Sequence, residues 1–373
     1  MRYITTDDEL RGVAAELEES GLVAVDTEAA GYHRYLDRVC LVQLTSEAGT
    51  WVVDALTVSG LEPLRDVLGT HQVEVVFHDA DYDLRLLHRD YGMSVAGLFD
   101  TKIAAQFLGE SAFGLQNLLE KELGISLEKK YQRADWAKRP LPPEMLDYAA
   151  EDTRYLPELR DRLRDGLRAA GRLEWAEEEF RLVEATRWEE PGDTRDAYLS
   201  LKGARDLDGR QRAALQELYA WREAEGKRRD VATFRVLSKE ALVETARQLP
   251  RNTRQLSGVP GIGSRLAASV GDDLLAAVER ALLLPDAELP APLARPPRRP
   301  RPDPELEERV ERLKKARDRA ADRLELDRGF LMARWQLAEV AAAEPRTLEE
   351  LGGLGSVRRW QLEALGRELL EAL

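Results

Sequence analysis

Two carboxylates, Asp26 and Glu28, directly follow an apolar run at residues 22–25. Side chains two apart on a strand point to the same face, so we expect both carboxylates at the end of one buried strand. Two neighbouring anions repel each other unless a cation lies between them. Mg²⁺ and Mn²⁺ prefer oxygen ligands and suit such a pair. A solvated strand end is the simpler alternative, so a metal site requires further ligands from elsewhere in the chain.

Two later segments could supply such ligands. Asp83 lies inside a helix predicted after a buried strand, deep enough to reach the strand end that bears the first pair. Asp79 and Asp81, near the start of this helix, would cap it, because the helix dipole favours anions there. Tyr148 and Asp152 are four residues apart and share one face of another helix. Alone, this last spacing also fits a packed tyrosine beside a surface aspartate.

The strands and helices predicted around these residues form an α/β layer architecture. Short links between the early strands favour antiparallel neighbours, and Pro157 predicts a kink or break in the last helix. The predicted strands are 22–27, 39–45, 51–54, 73–77 and 97–99. The predicted helices are 7–19, 61–68, 82–90, 101–108, 115–123 and 143–170.

Strand patterns stop after residue 170, and the remainder is predicted to be helical. Residues 242–258 and 337–353 repeat each other at an offset of 95, which predicts one small helical module used twice. Residues 285–304 contain eight of the seventeen prolines and four arginines, which favours an extended linker over a phosphate contact. The side chains expected to be buried in the first helical region are Trp175, Phe180, Leu182 and Trp188.

The composition indicates a folded protein of two or three domains. The 373 residues are 43% hydrophobic and 33% charged, and no apolar run approaches the ~20 residues that a membrane span needs. Because the first residues lack a signal-peptide pattern and Cys40 has no cysteine partner, we expect a cytoplasmic protein without a disulfide. Of the net charge of −14, −13 lies in residues 1–165. Such an acidic region would repel phosphate unless part of its charge binds metal.

In order, the D-x-E pair, Asp83 and the Y-x-x-x-D pair resemble the DEDDy class of 3′–5′ exonucleases, and within it the ribonuclease D family. The sister subclass has a histidine five residues before the last aspartate, where this chain has Asp147. The two helical modules resemble the paired HRDC (helicase and RNase D C-terminal) domains of that family. Further segments that follow the family pattern are Val39–Leu44, Phe99–Thr101, Gly114–Leu118, Lys130–Leu141 and Leu146–Leu156.

The resemblance implies an α/β ribonuclease H-like exonuclease domain, a mixed sheet flanked by helices, followed by two all-α HRDC-like helical domains. It implies an exoribonuclease that releases nucleoside 5′-monophosphates from RNA 3′ ends, as in processing of tRNA and other structured RNAs, with no obligate protein partner. The implied boundaries are 1–170 for the exonuclease domain, 171–205 for a helical connector, 206–284 and 305–373 for the HRDC-like domains, and 285–304 for the linker.

The resemblance also implies roles for the residues in the motifs. Asp26, Glu28, Asp83 and Asp152 would bind two divalent ions, Mg²⁺ or Mn²⁺. Tyr148 would orient the attacking water or help to deprotonate it. Paired ions can clamp the attacking and leaving oxygens of a phosphodiester and lower the pKa of bound water. Because a free tyrosine has a pKa near ~10 and is a poor base, we expect Tyr148 to act mainly by positioning.

Substrate contacts are also expected around this site. Gln116 and Asn117 begin a helix where the family holds the terminal nucleotide, although these residues could instead cap that helix. Many relatives carry a bulky residue after the D-x-E motif, but Ala29 stands here, so stacking on a base would fall to Tyr32, His33 or Tyr35. The basic residues that could contact phosphate or simply face solvent are Lys129, Lys130, Arg133, Lys138 and Arg139.

Glycine-rich turns occur in both helical modules, at Leu256–Ser264 and Gly352–Gly355. They resemble helix-hairpin-helix turns, whose backbone N–H groups bind phosphate, although any small helical bundle needs tight turns. Two other functions stay open. A DNA 3′–5′ exonuclease would use the same carboxylates, and an inactive nuclease domain would leave a nucleic-acid-binding protein.

Overall fold

The computed structural model describes residues 1–128, 130–190, 192, 196–291 and 303–373. They form two compact units. The first unit contains Met1–Glu28, Val39–Trp188 and the C-terminal residues from 303 onward, and the second contains Ala29–Arg38 and the described part of 189–291. Lys129 and the four arginines of the predicted linker, Arg295, Arg298, Arg299 and Arg301, lie outside the described residues.

A mixed sheet forms the centre of the first unit, as predicted, but it has six strands where five were expected. The strands are β1 (Arg2–Ile4), β2 (Leu22–Ala29), β3 (Val39–Ser46), β4 (Gly49–Asp54), β5 (Glu74–Phe77) and β6 (Leu98–Asp100). Their spatial order is β1-β4-β3-β2-β5-β6, so β2 is an inner strand. The hairpin of β3 and β4 is antiparallel, whereas β1 pairs with β4, β2 with β5, and β5 with β6 in parallel. The sequence pattern misses β1, because three residues are too few to show alternation.

Helices cover this sheet close to their predicted positions. They are α1 (Asp7–Glu18), α2 (Glu62–Leu68), α3 (Asp81–Tyr91), α4 (Thr101–Phe107), α5 (Leu115–Leu123), α6 (Pro143–Arg154), α7 (Leu156–Ala169) and α8 (Leu173–Glu184). The break predicted at Pro157 is confirmed, since α6 and α7 meet at Tyr155. Pro157 lies in the first turn of α7, where its missing N–H loses no helical hydrogen bond. None of the described helices is both long and apolar enough to cross a bilayer.

The burial predicted for four side chains in and just after α8 is only partly correct. Phe180 is 3% exposed and its ring lies 4.8 Å from that of Phe99 on β6. Trp175 and Trp188 are half-buried. Leu182, in contrast, is 42% exposed, so its predicted role as a core residue is wrong. It follows Phe180 by two positions, and residues two apart on a helix do not share a face.

The predicted helical repeat is confirmed. In the second unit the first module contains α9 (Gly209–Arg229), α10 (Thr233–Val236), α11 (Lys239–Gln248), α12 (Thr253–Leu256) and α13 (Ser264–Leu283). In the first unit the second module contains α14 (Pro304–Leu324), α15 (Arg328–Leu331), α16 (Arg334–Ala343), α17 (Leu348–Gly352) and α18 (Arg359–Ala372). The matching residues Leu242 and Leu337 are both fully buried. The modules therefore share one helical plan and one pattern of core positions.

An aromatic cluster packs the second module against helices α4 and α8 within the first unit. The ring of Phe107 in α4 lies 4.8 Å from Phe330 and 4.9 Å from Trp360. The indole N–H of Trp360 donates to Glu179 at 2.7 Å. Arg172 donates to the carbonyl oxygens of Phe107 and Leu324 at 2.7 and 2.6 Å. This buried contact makes the C-terminal module a structural part of the first unit.

Truncation of Trp360 tests this contact. We expect Trp360→Ala to lower the free energy of unfolding by about 3–5 kcal/mol, because it leaves a cavity in the aromatic cluster. The matched control is Trp335→Ala, since Trp335 is 62% exposed in the same module and its loss should change stability by at most about 0.5 kcal/mol. Urea unfolding of both variants measures the difference. Equal effects would contradict the packing described here.

Candidate active site

Four carboxylates lie around the end of β2. Asp26 and Glu28 belong to β2, Asp83 lies in the first turn of α3, and Asp152 lies near the end of α6. Asp83 is 8% exposed, and the other three are half-buried. The charge on Asp26 is close enough to be affected by the other three carboxylates. The structure therefore brings together acidic residues from three separate elements.

Burial raises the pKa values of all four groups, and repulsion by the other carboxylates of the site adds to this for Asp26 and Glu28. Burial, followed by the neighbouring carboxylates, raises the pKa values of Asp26 and Glu28 well above the usual range. Burial also raises the pKa of Asp83 to about 7 and that of Asp152 to about 7. Ionising these groups together is unfavourable because each anion destabilises its neighbours. A nearby cation would remove this penalty.

The donor set fits a hard divalent cation. All four side chains offer carboxylate oxygens, the ligands that Mg²⁺ and Mn²⁺ prefer. In the described part of the chain, however, no three His, Cys, Asp or Glu side chains are already placed as a group that could hold an ion. The Thr27 hydroxyl donates a hydrogen bond to Asp83. Binding of a cation by Asp83 would compete with this bond for the carboxylate oxygen.

Residues around Asp83 depart from the sequence prediction. Capping of α3 by Asp79 or Asp81 is wrong, because the helix begins after Ala80 without a side-chain cap. Asp79 lies outside the helix with φ of 67° and pairs with Lys102 at 2.6 Å. Asp81 pairs with Arg85 one turn further along the helix. These contacts direct both flanking aspartates to other partners, and Asp83 is the one that faces β2.

Aromatic rings hold Tyr148 from two sides. The Trp136 ring stacks on it at 6.3 Å with an interplanar angle of 25°. The Tyr131 ring meets it edge-on at 5.5 Å. Burial, and then the charges of Asp152 and Glu28, raise the pKa of Tyr148 above its usual value. The phenol is therefore neutral at physiological pH and can donate a hydrogen bond.

Arg139 supports the segment that carries Trp136. Its guanidinium donates to both carboxylate oxygens of Asp54, at 2.6 and 2.7 Å, and to the Trp136 carbonyl oxygen at 2.6 Å. Asp54 is fully buried, and the Tyr3 hydroxyl donates to the same carboxylate. These bonds correct the expectation of a phosphate contact for Arg139, because the planar guanidinium is already occupied by a bidentate pair. Sequence reasoning missed both Trp136 and Asp54 as parts of the site.

Gln116 and Asn117 line the same pocket as Tyr148 and Asp152. The pocket has a volume of about 290 Å³ and is also lined by His78. Capping does not explain the two amides, because α5 begins after Gly114 without a side-chain cap. The structure thus brings these polar side chains beside the carboxylate site. Other predicted substrate residues in the first unit are less constrained: Lys130, Arg133 and Lys138 are exposed.

Tyr32 lies in the second unit. Its ring is 5.6 Å from that of Phe234 and 5.2 Å from that of His33. Tyr35 donates its hydroxyl to Glu223 at 3.5 Å. Of the three side chains considered for stacking on a base, Tyr32 is the one that is largely exposed.

The fold and the carboxylate site together define a 3′–5′ exonuclease. A family model described as 3′-5′ exonuclease matches residues 1–168, and one described as HRDC domain matches 211–278 and 307–373. Ribonuclease D of Pseudomonas paraeruginosa is 30% identical over 100% of this chain and 97% of its own. The crystal structure of Escherichia coli RNase D has a TM-score of 0.69 and 27% identity, covering 100% of this chain and 98% of that one. A Bifidobacterium adolescentis protein has a TM-score of 0.82 and 26% identity, covering 100% and 96%.

The chain belongs to the ribonuclease D family. It is a 3′–5′ exoribonuclease, and its substrate is RNA. Membership in this exonuclease family indicates that the activity depends on a divalent metal ion. The sequence predictions of family, fold class and reaction are therefore confirmed.

The raised pKa values predict how stability changes with pH when no metal is present. Between about pH 4 and pH 7 the folded protein keeps protons on Asp83 and Asp152 that the unfolded chain has lost. Stability therefore falls as the pH rises through this range. In EDTA we expect the melting temperature to drop by several degrees between pH 5 and pH 8. Mg²⁺ should restore it at pH 8 and have a smaller effect at pH 5.

Thermal unfolding of single variants tests this account. Asp83→Asn or Asp152→Asn should weaken both the pH dependence and the effect of Mg²⁺. The matched control is Asp147→Asn, because Asp147 is exposed on the same helix as Asp152. A metal-free protein whose stability rises from pH 5 to pH 8 would contradict the predicted sign.

Proposed function

We propose that Asp26, Glu28, Asp83 and Asp152 bind two divalent ions, Mg²⁺ or Mn²⁺, and that this site removes nucleotides one at a time from RNA 3′ ends. The observation that carries the proposal is the placement of four buried or half-buried carboxylates, from β2, α3 and α6, beside Tyr148. A structural role alone does not account for it, since gathering buried anions lowers stability unless a cation joins them.

The chemistry follows from the donor set. When bound, a pair of divalent ions lowers the pKa of the attacking water and stabilises the leaving 3′-oxygen. Asp26 and Glu28 would hold the pair from the inner strand β2, and Asp83 and Asp152 would complete the site from α3 and α6. Thr27 bonds to Asp83 and so fixes α3 to the same strand. The products would be nucleoside 5′-monophosphates.

Tyr148 would orient the attacking water through its hydroxyl. Its raised pKa makes proton abstraction by a tyrosinate unfavourable at neutral pH, which supports positioning as its contribution. Trp136 and Tyr131 restrict the ring, so the hydroxyl needs little reorganisation before the reaction. Arg139 would act indirectly, through Trp136, because its guanidinium donates a hydrogen bond to the Trp136 carbonyl oxygen.

Gln116 and Asn117 would hold the terminal nucleotide, since they line the pocket that contains Tyr148 and Asp152. Lys130 and Arg133 would contact the phosphates that follow. These side chains are exposed, and Lys130 lies 5.0 Å from the centroid of the Tyr131 ring that contacts Tyr148. They would place the scissile phosphate against an otherwise acidic surface.

We also propose the physiological setting. The exonuclease domain would cover 1–170 and the HRDC-like domains 206–284 and 305–373, in agreement with the family matches at 1–168, 211–278 and 307–373. The substrates would be the 3′ ends of tRNA and other structured RNAs in the cytoplasm, without an obligate protein partner. The structural relative from Escherichia coli is described as an exoribonuclease involved in structured RNA processing, which supports this choice.

Release of labelled nucleotides tests the proposed reaction. A tRNA with an extended, 3′-labelled end should lose mononucleotides one at a time in Mg²⁺ or Mn²⁺ and none in EDTA. A DNA strand of the same sequence should be cut more slowly. Equal or faster hydrolysis of DNA would favour the DNA exonuclease instead, and internal cleavage products would contradict the proposal.

Substitution of the site residues separates their roles. Tyr148→Phe should lower kcat by about 10²-fold, because the water loses its positioning group, while Mg²⁺ binding persists. Asp26→Asn or Asp152→Asn should abolish turnover and weaken Mg²⁺ binding together. Single-turnover kinetics and isothermal titration with Mg²⁺ measure the two effects. A Tyr148→Phe chain with an unchanged rate constant would remove Tyr148 from the mechanism.

A further inference from the structure

A group of exposed aromatic and basic side chains lies in the second unit, where the loop 29–38 packs against the first helical module. The rings of Tyr32 and Phe234 are 43% and 48% exposed. The guanidinium of Arg235 lies 5.1 Å from the centroid of the Tyr32 ring, and His33 meets the same ring at its edge. We call these four residues the aromatic patch. Adjacent exposed aromatic rings often mark a binding surface.

Backbone contacts hold the aromatic patch in place. The N–H of Ala232 donates to the His33 carbonyl oxygen at 3.2 Å. Asp230 accepts hydrogen bonds from the Tyr35 N–H at 3.3 Å and from Arg34 at 3.5 Å. Gly226 allows the close approach, because a Cβ atom there would lie 3.1 Å from the Tyr35 ring. The rings are therefore presented on a fixed support, which lowers the entropy cost of binding.

The helix that supports the loop ends in basic residues. The last turn of α9 carries Lys227, Arg228 and Arg229, all exposed, directly before the residues that support the loop. Arg228 and Arg229 pair with Glu225. Arg235 adds positive charge directly over the Tyr32 ring. Flat apolar rings bordered by cations match the chemistry of a single-stranded nucleic acid, which offers bases for stacking and phosphates for ion pairs.

We propose that the aromatic patch stacks an unpaired nucleobase of the RNA substrate, upstream of the 3′-terminal nucleotide. The proposal rests on the proposed function and adds a second binding position for the same RNA. Tyr32 follows Glu28 by only four residues in the sequence, so a short segment of chain joins the patch to the strand that carries the D-x-E pair. Stacking tolerates every base, as an enzyme that removes successive nucleotides requires.

Base-specific fluorescence tests the proposal. The full chain with Asp26→Asn, in which hydrolysis should be blocked, is mixed in Mg²⁺ with single-stranded RNAs. Each RNA carries one 2-aminopurine, moved stepwise from the 3′ end, because stacking quenches this base. We expect quenching at one internal position. Phe234→Leu should remove it and weaken RNA binding by roughly tenfold, whereas Phe234→Tyr should retain both.

Leucine is the informative replacement because it keeps apolar bulk against the loop but has no aromatic face. Leu283→Ala is the matched control, since Leu283 is a 76% exposed apolar side chain of the same module and should leave quenching and affinity unchanged. An absence of quenching at every internal position, or equal quenching and affinity in Phe234→Leu, would overturn the proposal. Failure of the proposed function would appear separately, as no mononucleotide release by the chain that retains Asp26.

Discussion

Repulsion between four carboxylates at the end of β2 is the constraint on which the site depends. Burying these anions together lowers the stability of the folded protein, and packing elsewhere in the fold must offset this loss. A cation bound between the carboxylates would remove the repulsion. The inner position of β2 gives Asp26 and Glu28 a rigid support. Helices α3 and α6 then bring Asp83 and Asp152 to the same place from distant parts of the sequence.

The elements that present these residues could largely be predicted from the sequence. Apolar runs indicated the strands β2 to β6, and helical spacing indicated α1 to α8, because both patterns come from burial of one face. The four carboxylates and Tyr148 were predicted from their order along the chain. The break before Pro157 followed from the chemistry of proline alone.

Other features needed the structure because they depend on partners far apart in sequence. Arg139 is one of several neighbouring basic residues for which the sequence predicts a phosphate contact. Its partner in the structure is instead Asp54, which lies far away in the sequence on β4. Nothing in the sequence around Trp136 indicates that its ring stacks on Tyr148. Leu182 is apolar, as core residues usually are, but the face of α8 that packs on β6 carries Phe180 instead. Local patterns determine which residues are apolar or charged, whereas tertiary contacts determine what each residue meets.

The two helical modules have the same order of helices, but an equivalent short helix plays a different role in each. In the second module, Phe330 on the short helix α15 packs against Phe107 and Trp360 and becomes part of a core. In the first module, Phe234 on the equivalent helix α10 remains exposed beside Tyr32. A similar backbone therefore supports a structural contact in one copy and an open aromatic surface in the other.

Anomalous diffraction from a crystal of the protein soaked in Mn²⁺ tests the central claim most directly. The account predicts two peaks, each within coordination distance of oxygens from Asp26, Glu28, Asp83 or Asp152. Peaks elsewhere, or no peak between these carboxylates at a Mn²⁺ concentration that supports turnover, would contradict it.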